Sequence, residues 1–205
     1  MPKFLPDRRP QKTKRALKSV LVDLLQTRDL QTISIKEITD LADISRGTFY
    51  LHFDDIFALY QSIEFDVIEN ITQIIQTKVP IQDEDELDKI IGSIFEYLTD
   101  HIKECDALLR TDSASFLSGV FERNRPRVSE TWEASYGSKE HMQAYSYIFL
   151  SHGFAGVLKH WIAFGKLETP RQIAGIVKRL LSYMFLDAAQ NQSGLGIENI
   201  SGNQP

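Results

Sequence analysis

Apolar residues recur along this chain at intervals of three and four positions, which is the spacing of one face of an α-helix. No long segment shows the strict alternation of apolar and polar residues that is typical of a half-buried strand. The pattern therefore predicts an all-α fold. The long helices are expected at about residues 13–28, 54–78, 83–102, 139–164 and 170–186. Pro126 interrupts the pattern between the third and fourth of these, and a helix is expected to end there.

Between the first two long helices lie two short segments that carry helix-capping residues. Ser34 and Glu37 have the spacing of a capping box, in which each side chain bonds the other's free backbone N–H. Ser45 is placed to cap a second short helix, Arg46 to His52, after a turn of three residues. Two short helices joined by so tight a turn predict a helix-turn-helix.

The second short helix presents hydrogen-bond donors that suit a nucleic-acid backbone. Hydroxyls, a guanidinium and a helix N-terminus are groups that contact phosphates. Glycine adds no side chain at position 47, so a DNA strand can approach closely. The predicted DNA-facing residues are Ser45, Arg46, Gly47, Thr48, Tyr50 and His52, with Lys36 on the preceding helix and Lys14 on the first, where Lys18 is also expected to reach phosphate. The alternative is a solvated helical hairpin without a ligand.

Residues 32–55 read T-I-S-I-K-E-I-x-x-x-A-x-I-S-R-G-T-F-Y-x-H-F-x-D. This string resembles the DNA-binding domain of the TetR/AcrR family of bacterial regulators, and the resemblance spans about residues 12–60. It implies an N-terminal three-helix helix-turn-helix DNA-binding domain and a larger C-terminal helical domain for ligand binding and dimerisation. One departure is Ile56, which stands where the family often has a phosphate-contacting Lys.

The distribution of charge fits a DNA-facing N-terminal end. The whole chain has a net charge of −5. Residues 1–53 hold 10 basic and 6 acidic side chains, a net charge of +4, whereas the remainder holds 13 basic and 22 acidic ones, a net charge of −9. Because binding follows the local field, the acidic total does not argue against a nucleic-acid partner.

The expected domains are residues 1–53 with a mobile arm at 1–11, then 54–188, then a disordered tail at 189–205. The resemblance implies that an effector binds among the C-terminal helices and that the last two helices pair with those of a second copy. Candidate pocket residues are Phe95, His101, Phe116, Phe121, Tyr145, Phe149 and His152, although aromatic residues more often pack in a core. Candidate dimer-interface residues are Gly153, Gly156, Trp161, Val177, Leu181 and Met184.

Motifs for enzymatic chemistry are missing. The sequence contains no phosphate-binding glycine loop, nucleophile elbow or H-E-x-x-H motif. Cys105 is the single thiol and His101 lies four residues before it, but no third residue at ligand spacing accompanies them, so no metal and no cofactor are expected. An enzyme built on this pair is the least favoured interpretation.

The expected location is the cytoplasm, since a single cysteine suits a reducing compartment and the N-terminal residues do not form a signal peptide. The apolar stretch 145–164 is long enough to raise the question of a membrane span. It contains Lys159, which is costly in a bilayer, so a core and dimer helix is expected instead.

The sequence thus predicts a homodimeric repressor that leaves its DNA operator when a small-molecule effector binds. The alternative is an activator or co-activator of similar fold, whose C-terminal domain binds a protein partner instead of a small ligand.

Overall fold

The computed structural model describes residues 9–76, 84–136, 140–164 and 167–190. These residues form α-helices and one short 3-10 helix, Leu30–Thr32, with no strand among them, which confirms the all-α fold. The helices are α1 Arg9–Leu25, α2 Ile35–Leu41, α3 Arg46–Tyr50, α4 Ile56–Gln76, α5 Glu84–Asp100, α6 Ile102–Tyr136, α7 Glu140–Ala163 and α8 Pro170–Gln190.

The first three helices form a small head around their own apolar residues. Leu17 and Leu21 of α1, Ile38 of α2 and Phe49 of α3 are completely buried. Burying a side chain of this size stabilises the fold by about 1.5–3 kcal/mol relative to leaving it in water. This shared core fixes the angle between α2 and α3, on which any use of the pair depends.

The long helix α4 joins the head to the rest of the protein. Leu59, Ile63 and Val67 form part of its buried stripe. The ammonium of Lys18 on α1 donates to the backbone oxygen of Ser62 at 2.9 Å and to the Asp66 carboxylate at 2.6 Å. Lys18 therefore holds the head on α4, and the expectation that it faces DNA phosphate is wrong.

The C-terminal helices α5 to α8 form a body with an aromatic core. Phe95 of α5 is fully buried between two rings of α7, with centroid distances of 5.8 Å to Phe154 and 5.4 Å to Trp161. Helix α8 packs along α5, with Ile173 and Val177 buried. No helix in the described ranges is both long enough and apolar enough to span a membrane.

Several predicted helix boundaries are corrected by the structure. Helix α1 begins at Arg9, so part of the expected arm is helical, and it ends at Leu25 because Arg28 folds into a turn and donates to Thr32 O at 2.6 Å. Helix α3 ends at Tyr50, so His52 lies beyond it. Helix α8 extends to Gln190, past the predicted start of the tail at 189. The other tail residues, 191–205, and the arm residues 1–8 lie outside the described ranges.

The prediction that Pro126 ends a helix is wrong, since α6 continues through it to Tyr136. The interruption lies instead at Asp112, whose backbone is non-helical (φ −153°, ψ 81°) and whose carboxylate accepts a hydrogen bond from Ser115 N at 2.9 Å. Asn124, two residues before the proline, is buried and donates to Thr72 of α4 at 3.2 Å. Packing on α4 thus holds this part of α6 and offsets the one backbone bond that proline removes.

Candidate nucleic-acid interface

The turn between α2 and α3 is a Schellman motif. Ile44 N donates to Thr39 O at 3.0 Å and Asp43 N to Asp40 O at 3.4 Å, which satisfies carbonyls at the end of α2. Asp43 takes the left-handed conformation, with φ of 53°. Glycine is usual at such a position, but aspartate tolerates it better than most residues. The turn therefore sets the direction in which α3 leaves α2.

Both short helices are capped by the predicted serines. The Ser34 hydroxyl accepts from Glu37 N at 3.2 Å, and the Ser45 hydroxyl accepts from Thr48 N at 3.1 Å. The reciprocal half of the Ser34 box is replaced by an ion pair, because the Glu37 carboxylate accepts from the Arg28 guanidinium. The Ser45 and Thr48 hydroxyls also share a hydrogen bond at 2.8 Å. These two hydroxyls are thus partly used in holding the start of α3.

The outward face of α3 is open to solvent. Arg46 and Gly47 are exposed, and Tyr50 keeps 57% of its surface accessible. A methyl group at Gly47 would contact only the Ser45 hydroxyl, at 3.9 Å. Nothing in the described protein therefore requires glycine here, which leaves the space above it for an external partner.

Other predicted contact residues lie around this face, and they differ in exposure and in the contacts that they already make. Lys36 is exposed. The Lys14 ammonium lies 5.9 Å from the centre of the Phe53 ring, a distance that allows a cation–π contact. His52 is half-buried edge-on to the same ring. Leu51 is 80% exposed and adds an apolar side chain to this surface. It is not among the predicted contact residues, because nearly all of those are identified by their polar groups.

The predicted effector-pocket residues do not converge on one cavity. Phe95 and Phe116 are buried in the packed body, and Phe121 lies against Phe154. Tyr145 and Phe149 are 72% and 63% exposed, so they face solvent in the single chain. His152 is also exposed, with Nδ1 2.9 Å from Ile148 O on its own helix. His101 alone among the seven lines one of the two cavities described next.

Two cavities lie where the head meets the body. One, of about 670 Å³, lies between the segment 25–31, the first turns of α4 and the bend in α6 at Asp112. The other, of about 350 Å³, lies on another side of α4 and is lined by Tyr97 and His101 among others. Both touch residues of α1 and α6, so an occupant of either would contact head and body together.

Two of the predicted dimer-interface residues are already buried inside the single chain. Trp161 is 2% exposed and donates from Nε1 to Glu168 O at 2.9 Å, while Val177 is 4% exposed. Their placement at the interface is therefore wrong, because the packing of α5 against α7 and α8 uses their side chains. Gly153 and Gly156 are exposed with open space above them. The side chains of Leu181 and Met184 lie outside the described part of the structure.

The pair His101 and Cys105 is not arranged for catalysis. Cys105 is fully buried, and burial raises the pKa of its thiol to about 12, with the charges of Glu104 and Asp106 adding to the effect. The reactive thiolate is therefore scarce at neutral pH. Within the described ranges no three His, Cys, Asp or Glu side chains form a group that could hold a metal ion.

Comparison with known proteins finds a family match in the C-terminal region and a curated relative of similar sequence. Residues 85–183 match the TetR_C_8 family model, described as a transcriptional regulator C-terminal region. A stretch of 62 residues, 30% of this chain, is 36% identical to an uncharacterized HTH-type transcriptional regulator, YxbF, of Bacillus subtilis. That match spans only 16% of the length of the curated relative.

Solved structures of low sequence identity share the fold. A TetR transcriptional regulator from Streptococcus agalactiae is similar with a TM-score of 0.60 and 21% identity, over 85% of this chain and 96% of that one. The fatty acid degradation regulator FadR of Bacillus halodurans gives 0.63 and 15%, over 88% and 96%. The dihydroxyacetone kinase operon activator DhaS gives 0.59 and 16%, over 85% and 97%.

The capped helix pair on a helical body is the architecture of a helix-turn-helix transcription regulator. The family match covers residues 85–183, somewhat under half of the chain, and the solved structures share the fold, so the chain is similar to TetR transcriptional regulators in its fold and in its C-terminal region.

Proposed function

We propose that this protein is a cytoplasmic homodimer that binds an operator through α3 and represses transcription until a small-molecule effector releases it. The observation that carries the proposal is the outward face of α3. Arg46, Gly47 and Tyr50 are presented there by a capped helix, and no described residue of the protein fills the space in front of them.

The proposed reading mode follows from that face. Helix α3 enters the major groove, where the guanidinium of Arg46 can bind a guanine edge or a phosphate and the Tyr50 hydroxyl can donate to the backbone. Lys36 and Lys14 approach the flanking phosphates. Ser45 and Thr48 contribute mainly by holding the helix start, since their hydroxyls already bond each other at 2.8 Å.

A second copy is needed to place two recognition helices about one DNA turn apart, roughly 34–36 Å. The support for a dimer is an exposed apolar stripe on α7, made of Tyr145, Ile148, Phe149, Gly153 and Gly156 and called the α7 stripe below. Its aromatic and aliphatic members are 53–72% exposed in the single chain. The two glycines leave open space where another helix can approach closely. Leu180 of α8, half exposed, extends the same kind of surface.

DNA binding is tested by fluorescence anisotropy with a labelled fragment of the protein's own promoter. Arg46→Ala should weaken binding by about 1–3 kcal/mol, which is roughly five- to 150-fold, at constant salt. Arg171→Ala removes the same charge from an exposed position at the start of α8 and should leave the affinity within about twofold. An Arg46→Ala protein that binds as well as the parent would remove Arg46 from the interface.

The dimer is tested by sedimentation with Gly156→Leu. The added side chain has room in the single chain but blocks close helix approach, so the variant should become monomeric while keeping its helical content. Glu96→Leu, which adds the same side chain at an exposed position of α5, is the control. A Gly156→Leu protein that stays dimeric would show that the interface lies elsewhere.

An activator or co-activator is the second candidate, and one observation favours it. DhaS, one of the structurally similar proteins, is an operon activator. The body around Phe95 and Trp161 is packed, and the α7 stripe is an exposed apolar surface that a protein partner could cover. A reporter gene driven by the protein's own promoter distinguishes the two functions. Deletion of the gene that encodes this protein raises reporter expression if the protein is a repressor and lowers it if the protein is an activator.

A further inference from the structure

The larger cavity, of about 670 Å³ and called the junction cavity below, has the size of a small-ligand site. It is bounded by the segment 25–31 of the head, by Phe57, Tyr60 and Glu64 of α4, and by Asp112 and Ser115 of α6. All three elements meet only because the chain folds back on itself. An occupant would therefore bridge the DNA-binding head and the body.

Tyr60 is the unusual residue of this cavity. It is 7% exposed, and its hydroxyl makes no hydrogen bond of ordinary geometry to any residue that the structure describes. Burial raises the pKa of Tyr60, the charges of Glu64 and Asp112 raise it further, and a contact with the Thr111 side chain lowers it in part. A buried hydroxyl is rarely left without a partner, so this group indicates a ligand atom that completes it.

The free charge around the cavity is negative. Arg28 also lines it, but its guanidinium is engaged with Glu37 and with Thr32 O. Arg110, the other cation of the lining, is paired with Asp106 at 2.8 Å. By contrast, the Glu64 carboxylate has among the described residues only a long contact, 3.4 Å, from the Ser115 hydroxyl.

The carboxylates therefore have unused hydrogen-bond acceptors. Within the described part of the chain, the Asp112 carboxylate accepts one backbone bond, from Ser115 N, which leaves its other lone pairs open. Burial raises the pKa of Glu64, and the charge of Asp112 adds to this. Both effects disfavour the ionised carboxylate, and a cation bound beside it would stabilise that form.

We propose that the junction cavity binds a small organic cation through a primary ammonium group, held by the Glu64 and Asp112 carboxylates and the Tyr60 hydroxyl. An ammonium has three N–H donors, one for each of these three oxygen-bearing side chains. The half-exposed ring of Phe57 on the same wall supplies an apolar surface for the rest of the ligand. A metal ion fits less well, since the described residues include no group of three suitable ligands.

This site deepens the proposed regulatory function and rests on it for its consequence. A cation bound to both α4 and α6 beside the segment 25–31 would fix the orientation of the head relative to the body. Its affinity for the two arrangements must differ if it is to change DNA binding.

The test is isothermal titration of the full-length protein with 1-butylammonium chloride, and with sodium butyrate as an anion of similar length. Butylammonium should bind, and Glu64→Gln should weaken it at least tenfold. Tyr60→Phe, which removes only the unbonded hydroxyl and should fold as well as the parent, should weaken it at least threefold. Glu96→Gln removes an equal charge from an exposed position outside the cavity and should leave binding unchanged.

Equal binding in all four proteins, tighter binding of butyrate, or no binding of butylammonium would overturn the proposed site. Operator affinity, measured separately by anisotropy with and without saturating butylammonium, should change at least fivefold in the parent and not in Glu64→Gln. No change in the parent would overturn the regulatory role. Absence of any operator binding by the unliganded protein would instead refute the proposed function, while the titration would still decide the site.

Discussion

Replacing Gly47 by alanine should change the stability of the fold and the affinity for DNA in opposite directions. Gly47 is the second residue of α3, and the added methyl carbon would lie 3.9 Å from the Ser45 hydroxyl oxygen, an ordinary contact. Its backbone is helical, where glycine costs about 0.5–1 kcal/mol relative to alanine. Gly47→Ala should therefore raise the free energy of unfolding by about 0.5–1 kcal/mol.

The same methyl group should weaken DNA binding. If a DNA strand packs against the exposed backbone at position 47, an extra carbon there forces the strand or the helix to shift. Overpacking of a close contact typically costs about 1–3 kcal/mol, which corresponds to a loss of roughly five- to 150-fold in affinity. The two effects thus have opposite signs, and a general loss of folding cannot produce both.

Urea denaturation at fixed protein concentration measures the first effect, and anisotropy with the promoter fragment measures the second. Gly92→Ala is the matched control, because Gly92 lies within α5 and a methyl group there meets nothing within 4 Å. It should gain similar stability with unchanged DNA affinity. A Gly47→Ala protein that is destabilised, or that binds DNA as tightly as the parent, would refute the reasoning about this position.

Two further predictions concern the packing of the body and the turn that precedes α3. Trp161→Ala should lower the free energy of unfolding, measured by urea denaturation, by about 3–5 kcal/mol. The substitution opens a large cavity beside Phe95 and leaves Glu168 O without its hydrogen bond. A loss below about 1 kcal/mol would contradict the buried position of Trp161. Asp43→Val should cost about 1–3 kcal/mol, since a β-branched residue is strained at a φ of 53°, whereas Asp43→Gly should fold at least as stably as the parent. Equal thermal stability of the valine and glycine variants would show that the turn does not need the left-handed conformation.

The head could be predicted from the sequence because its signals are local. Ser34 and Ser45 bond backbone groups three residues away, and both caps are found as predicted. The Asp55 carboxylate acts over the same short range, since it accepts a hydrogen bond from Ala58 N at 2.7 Å at the start of α4. The periodic apolar stripes indicate the all-α class for the same reason, since helical spacing is set by the backbone.

The roles of the body residues could not be predicted in this way. Helix α7 is apolar on more than one side, so its periodicity does not show which of Trp161 and Phe149 faces the core. Only the packing of α5 and α8 decides that Trp161 is buried and Phe149 is exposed. Similarly, the pattern predicts that Pro126 ends α6, but the contact of Asn124 with Thr72 holds the helix across it.

Residue type and short-range spacing therefore determined that this chain is helical, where its helix-turn-helix lies and which residues cap it. The tertiary structure alone decided which faces of the body are core, which remain open to a second copy, and that Tyr60, Glu64 and Asp112 surround one cavity. The reason is distance along the chain. The segment 25–31, α4 and the bend in α6 are brought together by packing between helices, and no local pattern encodes where such elements meet.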